Sequence, residues 1–293
     1  FPVRILQHNR TSPVDQAGIT FAPLDLDRLA GDVSIGKVII LNAWKIVRRL
    51  RKRGLAAPIS VWSHTYPGRD GLGRALTKAD ATLICVSQTQ ADTIARFLNE
   101  RGAPIPRMQV LHNPVADDLA PDDTARDPDL LLFASSPHKG LDQTLACFRE
   151  VRRSIPSLRL AVADPGYYPM PDQPPEPGVE QVGALAQPDL HRLMRRALCL
   201  FYPQQRFAET FGLVIAEANA VGTPALLHGP LGANAEVASS PDQILDEGLE
   251  LGPRELHLQV LRSALVCGEE GKVDLGLKGA RQLNLRLLRR LLE

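Results

Sequence analysis

The chain has 293 residues, a formal net charge of +1, 44 % hydrophobic residues and 23 % charged ones. That is the composition of a globular protein long enough for two domains, and it excludes disordered and collagen-like chains. A charge so near zero gives no reason to expect nucleic acid as a partner, and no run is long or apolar enough to cross a bilayer.

In chain order, residues 3–7, 37–41, 58–62, 81–86 and 108–111 read as strands, and 43–53 and 88–101 as helices between them. This alternation predicts a doubly wound parallel sheet with right-handed crossovers. Residues 8–18 show neither a Gly-rich turn nor a helical period, and strand-like 19–22 follows. The helix over 43–53 carries KIVRRLRKR, with Ile46, Val47 and Leu50 as its apolar positions. Such a helix suits a solvated basic face over a buried stripe, or a contact with an anionic membrane surface. His64 follows the strand 58–62, at a carboxyl edge of the sheet. Gly71-Leu72-Gly73-Arg74-Ala75-Leu76 has part of a dinucleotide fingerprint, but it lacks the third glycine and lies too far from its strand. The acidic, Pro-bearing stretch 116–128 is expected as a linker between a first domain, 1–115, and a second, 129–272.

The second domain alternates in the same way, with strands expected at 130–134, 158–163, 179–183, 198–202 and 224–228. Leu141, Leu145 and Phe148 share one helix face, and 164–178, with six prolines, is expected as a surface loop. The cysteines at 85, 147, 199 and 267 form no C-x-x-C pair. A disulfide framework or metal site is therefore not expected, no secretory leader is evident, and a reducing cytoplasm fits.

The stretch 199–227, CLFYPQQRFAETFGLVIAEANAVGTPALL, concentrates the chemistry. Its helix, expected at 212–221, has no polar residue except Glu217 and Asn219, which predicts an interior helix. Gly222-Thr223-Pro224 stops it, with Gly just past the end and Pro soon after. A buried Glu217 needs donors, which loop N–H groups or ligand hydroxyls can supply. The helix N-terminus at Gly212-Leu213 offers free N–H groups and a positive dipole end, a seat for phosphate. A hydroxyl acceptor beside a phosphate seat is what a nucleotide sugar requires. Ser135-Ser136-Pro137-His138-Lys139-Gly140 joins a strand to a helix, where Lys139 can meet a diphosphate as a point charge.

The sixteen positions 209–224, E-T-F-G-L-V-x-x-E-A-x-A-x-G-T-P, resemble the signature of retaining GT-B glycosyltransferases of family four. The resemblance implies an α/β fold of two Rossmann-like domains facing a cleft, with a C-terminal helix at 273–293 packing back on the first. It implies catalytic roles for Glu209, set against the donor sugar, for Lys139 on the diphosphate, and for His64, facing the sugar from the first domain. Glu217 is implied on the ribose hydroxyls. Gly212, Leu213, Thr210 and Phe211 join it in donor binding, and Gly183, Ala184 and Leu185 cradle the base through backbone groups. Many members have Arg five residues before the Lys, where this chain has Ala134.

The function implied is transfer of a sugar, with retention, from a nucleotide-sugar donor to an acceptor hydroxyl. The donor is expected as a UDP- or GDP-sugar, with no metal and no separate cofactor. The acceptor is a glycan, a lipid-linked molecule or a small molecule. The protein is expected in the cytoplasm, with a peripheral site at the inner face of a membrane as an extension of the basic helix. A catalytically weak nucleotide-binding scaffold and a GT-B epimerase or hydrolase stand as alternatives. A first GT-B domain opens with strand, Gly-rich turn and helix, whereas strand 3–7 resembles the family's second strand. The opening unit is thus expected to be missing, leaving nucleotide binding to the second domain, weak transfer and a bare sheet edge.

Overall fold

Strand-forming runs alternating with amphipathic helices give an α/β chain of two units, Phe1–Leu111 and His112–Glu293. The computed structural model describes residues 3–68, 71–167 and 175–245. The expected helix at 273–293 and the basic segment within it lie outside the described residues, as does Cys267. No helix among the described residues is long and apolar enough to cross a membrane.

In the first unit the single sheet expected from the alternation is instead two. β1 (Val3–Gln7) pairs in parallel with β3 (Ile19–Pro23), and β2 (Val14–Gln16) pairs antiparallel with β3. The region 8–18 therefore holds a hairpin strand, not only a loop. Its two-residue turn puts Ala17 at φ 49° and Gly18 at φ 76°, the left-handed geometry such turns require. Ala is an unusual residue there, which hid the turn. Helix α1 (Leu26–Gly31) was also unforeseen; Asp25 caps it by accepting from Asp27 N and Arg28 N.

Four parallel strands make the other sheet of this unit, in the order β4 (Val38–Leu41), β5 (Ile59–Ser63), β6 (Ala81–Cys85), β7 (Met108–Val110). Its core takes in Val47 and Leu50 of α2 (Val47–Lys52), Leu76 of α3 (Gly71–Lys78) and Ile94 and Leu98 of α4 (Gln88–Asn99). Ser87 caps α4 by accepting from Gln90 N at 2.9 Å, so a structural role accounts for it. The glycines of the GLGRAL stretch lie inside α3. A Cβ on Gly73 would meet Pro104 O at 2.2 Å, so this glycine serves helix packing rather than a phosphate. β4 is an edge strand, and Ile39 and Leu41 on it are 58 % and 60 % exposed.

The basic helix is shorter than expected: Trp44–Ile46 is a 3-10 turn and α2 follows it. Arg51 donates to Ala79 O (3.0 Å), Leu55 O (2.6 Å) and Ala57 O (2.8 Å), and Arg53 pairs with Asp27. Arg48, Arg49 and Lys52 point to solvent.

The second unit is one six-stranded parallel sheet. Its strands are β8 (Leu130–Ala134), β9 (Arg159–Ala163), β10 (Val179–Gly183), β11 (Cys199–Tyr202), β12 (Ala225–His228) and β13 (Ile244–Leu245). The spatial order is β10-β9-β8-β11-β12-β13, the dinucleotide-fold order 3-2-1-4-5-6, with its reversal between β8 and β11. Helices α5 (Leu141–Ser154), α6 (Gln187–Arg196) and α7 (Leu213–Ala220) pack on it, and a short α8 (Asn234–Val237) follows β12. Residues 116–128 are irregular; Leu119 packs on the second core, and Arg195 holds Ala120 O and Asp122.

Helix α7 departs from the interior helix expected. Only Ile215 and Ala218 are buried in it, and Leu213 is 40 % exposed. Half of its apolar residues are Ala, so composition overstated how much of it faces the core. Its end is as expected: Gly222 has φ 80°, with Thr223 N bonded to Ala218 O (2.8 Å) and Gly222 N to Asn219 O (2.9 Å), a Schellman stop.

Candidate functional site

Ligands of doubly wound sheets bind beyond the carboxyl ends of the strands where the order reverses. Here that point lies between β8 and β11, so the loops that follow them, 135–140 and 203–212, are neighbours. Gly140 makes their contact possible. It has φ 90°, and a Cβ there would lie 2.5 Å from Gln204 Cβ. Gln204, fully buried, shapes the second loop: its Oε1 accepts from Arg206 N (2.9 Å) and Phe207 N (2.7 Å), and its Nε2 donates to Phe207 O (2.8 Å).

Within this frame Lys139 and Glu209, seventy residues apart, meet. Lys139 Nζ donates to both carboxylate oxygens, at 2.8 and 3.2 Å, and sits 4.5 Å from the centroid of the Phe207 ring. Tyr202 OH donates to Glu209 Oε1 at 3.0 Å. Burial, then the Glu209 charge, pushes the Tyr202 phenol far above its usual range, so it stays a donor. Glu209 is 6 % exposed; its backbone bridges to Gly232, and its carbonyl accepts from Ala233 N at 2.9 Å.

Three residues on, Gly212 at φ 91° starts α7. The N–H groups of Ile215 and Ala216 both return to Gly212 O, at 3.0 and 3.1 Å. Those of Leu213 and Val214 lie ahead of the first helical bond, at the positive end of the dipole. Thr210 and Phe211 complete the loop. Phe211 is 6 % exposed, with its ring 5.5 Å from that of His112, so its side chain is part of the packing.

Glu217 lies in the middle of α7, its side chain 14 % exposed, and burial pushes its carboxyl up from the usual range. Its nearest basic group is His191 of α6, with Nε2 3.9 Å from Oε1. Gly183, Ala184 and Leu185, expected to cradle a base, lie at the end of β10 and just beyond it. Gly183 (φ 69°) accepts from Asp164 N at 3.1 Å, Ala184 opens the turn, and Leu185 packs against the core. Ala134, five residues before Lys139, is buried at the end of β8.

His64 belongs to the first unit. Its backbone N–H donates to Asn42 Oδ1 at 2.7 Å, and its ring lies 5.2 Å from that of Trp62. Buried Gln90 holds the loop: its Nε2 donates to Ser63 O and Thr65 O, both at 3.1 Å, and its Oε1 accepts from Val86 N at 2.7 Å. Sequence reasoning passed over Tyr202, Gln204, Gln90 and His191. Only Tyr202 carried a signal, a phenol ending a fully apolar strand whose hydroxyl must find a partner.

Residues 126–243 match the family model of glycosyl transferases group 1. Residues 231–293 match that of NAD-specific glutamate dehydrogenase, and only 231–245 of these are described, at the end of the second sheet. No curated protein matches the sequence. Among solved structures, the chain is similar to the pneumococcal O-GlcNAc transferase GtfA in complex with UDP and GlcNAc. The TM-score is 0.57 at 12 % identity, over 96 % of this chain and 61 % of that one. It is similar to S. aureus TarM in a complex that includes UDP (TM-score 0.57, 12 % identity, 87 % of this chain and 54 % of that one). It is also similar to α,α-trehalose 6-phosphate synthase from Burkholderia multivorans (TM-score 0.60, 12 % identity, 95 % and 83 %). The chain thus has the fold of GT-B glycosyltransferases, and it spans less than two thirds of the GtfA and TarM chains.

Proposed function

We propose that the protein is a retaining glycosyltransferase that binds a nucleotide-sugar donor on its second unit. The observation that carries this reading is the assembly of Lys139, Glu209 and the α7 N-terminus at the strand-order reversal. As the bond between sugar and diphosphate breaks, charge grows on the leaving phosphate. Lys139 has three N–H donors; Glu209 takes two, and the third is available to a phosphate oxygen. The N–H groups of Leu213 and Val214 add fixed donors that need no reorganisation. Glu209, steadied by Tyr202, orients the sugar; Glu217 anchors the ribose; 183–185 hold the base. No step in this scheme needs a metal. His64 enters it through the sequence resemblance alone.

GtfA and TarM were each solved with UDP, which makes UDP-sugars the first donors to test. A thermal-shift panel of UDP-, GDP- and ADP-sugars with NAD should show stabilisation by one sugar nucleotide and none by NAD. Stabilisation by NAD alone would favour the dehydrogenase match instead. Glu217→Ala should weaken nucleotide binding about ten- to a hundred-fold, from a loss of ~1.5–3 kcal/mol. Glu209→Ala should act mainly on turnover. Unchanged nucleotide affinity in a folded Glu217→Ala protein removes the ribose assignment. Nucleotide release that needs no acceptor would point to hydrolysis.

A second reading, nucleotide binding with weak transfer, is favoured by the first unit. Its strands form two sheets, β2-β3-β1 and β4-β5-β6-β7, whereas the second unit has a continuous 3-2-1-4-5-6 order. β4 is an edge strand of its sheet. Ile39 and Leu41 make that edge adhesive, so concentration-dependent association is expected. Ile39→Lys with Leu41→Glu should suppress it in analytical ultracentrifugation.

The acceptor, lipid-linked or otherwise, and the membrane contact belong to the same proposal. Arg51 is bound internally, so the contact rests on Arg48, Arg49 and Lys52. Replacing these three by Gln should abolish salt-sensitive co-sedimentation with anionic vesicles while leaving the fold intact. Binding equal on neutral vesicles would exclude the contact.

A further inference from the structure

Helices α6 and α7 pack side by side and bring together two polar groups that neither helix satisfies. His191 Nε2 is buried and, among the described residues, has no hydrogen-bond partner. Facing it is Glu217 Oε1 at 3.9 Å, too long for a hydrogen bond, with the two side chains 15 % and 14 % exposed. Among the described residues no hydrogen bond reaches the Glu217 carboxylate. A buried imidazole nitrogen left in this state is costly, and a carboxylate rotation of about 1 Å would join the two groups.

We infer that His191 is a positioning residue for Glu217, its Nε2–H holding one carboxylate oxygen so that the other is aimed at the ribose diol. The inference rests on the nucleotide-donor reading of Glu217 and adds the group that orients it. A carboxylate accepts about four hydrogen bonds, so one to His191 leaves enough for two vicinal hydroxyls. The charges around the imidazole fit a neutral donor. Burial and then the positive Arg195 push His191 down, while Asp118 opposes them. Glu217 is pushed up by burial, and an uncharged N–H can orient it without a second buried charge.

The pair is tested by isothermal titration with UDP and GDP, and with their 2′,3′-dideoxy forms, on the full chain. His191→Phe keeps the ring volume and removes the donor; His191→Gln keeps a donor. His191→Phe should weaken the better diphosphate about tenfold and its dideoxy form scarcely at all, with His191→Gln restoring most of the loss. In a Glu217→Gln background His191→Phe should have no further effect. Imidazole 15N shifts should report an Nε2–H tautomer that responds to diphosphate. Equal weakening of both nucleotide forms, or undiminished affinity in a folded His191→Phe protein, would overturn the inference. If Glu217→Gln weakens binding and His191→Phe does not, only the His191 role falls. If neither diphosphate binds, or binding ignores Glu217, the donor reading falls and takes this inference with it.

Discussion

On the proposed function, Lys139→Met should lower sugar transfer about 100-fold or more and also destabilise the protein, two effects that a single added substitution separates. Removing the ammonium takes a charge partner from Glu209, which is 6 % exposed, while Tyr202 still donates to it. Breaking a fully buried pair costs ~3–5 kcal/mol; Lys139 is 26 % exposed, so about 2–3 kcal/mol is expected in denaturant unfolding. Turnover should fall about 100-fold or more, the usual effect of losing one preorganised group at developing charge. Lys139→Met with Glu209→Gln should recover most of the stability, because no buried charge remains unpaired, and none of the turnover. Lys139→Arg should keep part of both, since charge persists but the planar fork does not match an ammonium's position. A stable, active Lys139→Met protein would return this lysine to an ordinary surface role.

Gly232→Ala should be the most damaging small substitution in the second unit. Gly232 has φ 60°, and a Cβ there would lie 2.3 Å from Glu209 O and 2.7 Å from Glu209 N. These are backbone atoms, which cannot rotate aside. The left-handed conformation costs ~1–2 kcal/mol and forced overpacking ~1–3 kcal/mol more, so a loss of about 2–5 kcal/mol is expected. Because the displaced backbone is that of Glu209, turnover should fall along with stability. Gly183→Ala is the control. Its φ of 69° carries the same conformational cost, but nothing lies within 4 Å of the added carbon. Urea midpoints for the two variants give the comparison. Equal losses would mean that the Glu209–Gly232 bridge yields easily and does not hold the carboxylate in place.

Much of the fold was legible because buried parallel strands are written as unbroken apolar runs. Strands 130–134 and 179–183 match β8 and β10 to the residue, the other three expected in the second sheet begin one residue early, and the two-residue β13 was not expected. Helices α3 and α6, of eight and ten residues, were not expected, and the other elements missed are short or locally atypical. Helix α1 has only six residues, and the β2–β3 turn places an Ala where Gly or Asn is usual. The division of the first unit into two sheets was not legible, because strand runs show which segments extend and not which edges pair.

The same distinction holds for the site. By itself the sequence determined the residues of the 209–224 signature, the glycine stop of α7 and the lysine turn before α5, since each is a local pattern of residue type and spacing. Only the tertiary structure decided that Lys139 and Glu209 form one bonded unit, with Tyr202 as its third member. It alone set His191 opposite Glu217. The physical reason is the order of the strands. β8 and β11 lie side by side although two strands and two helices separate them in the chain, so the loops they carry are brought together by sheet pairing. No spacing within either loop records that pairing.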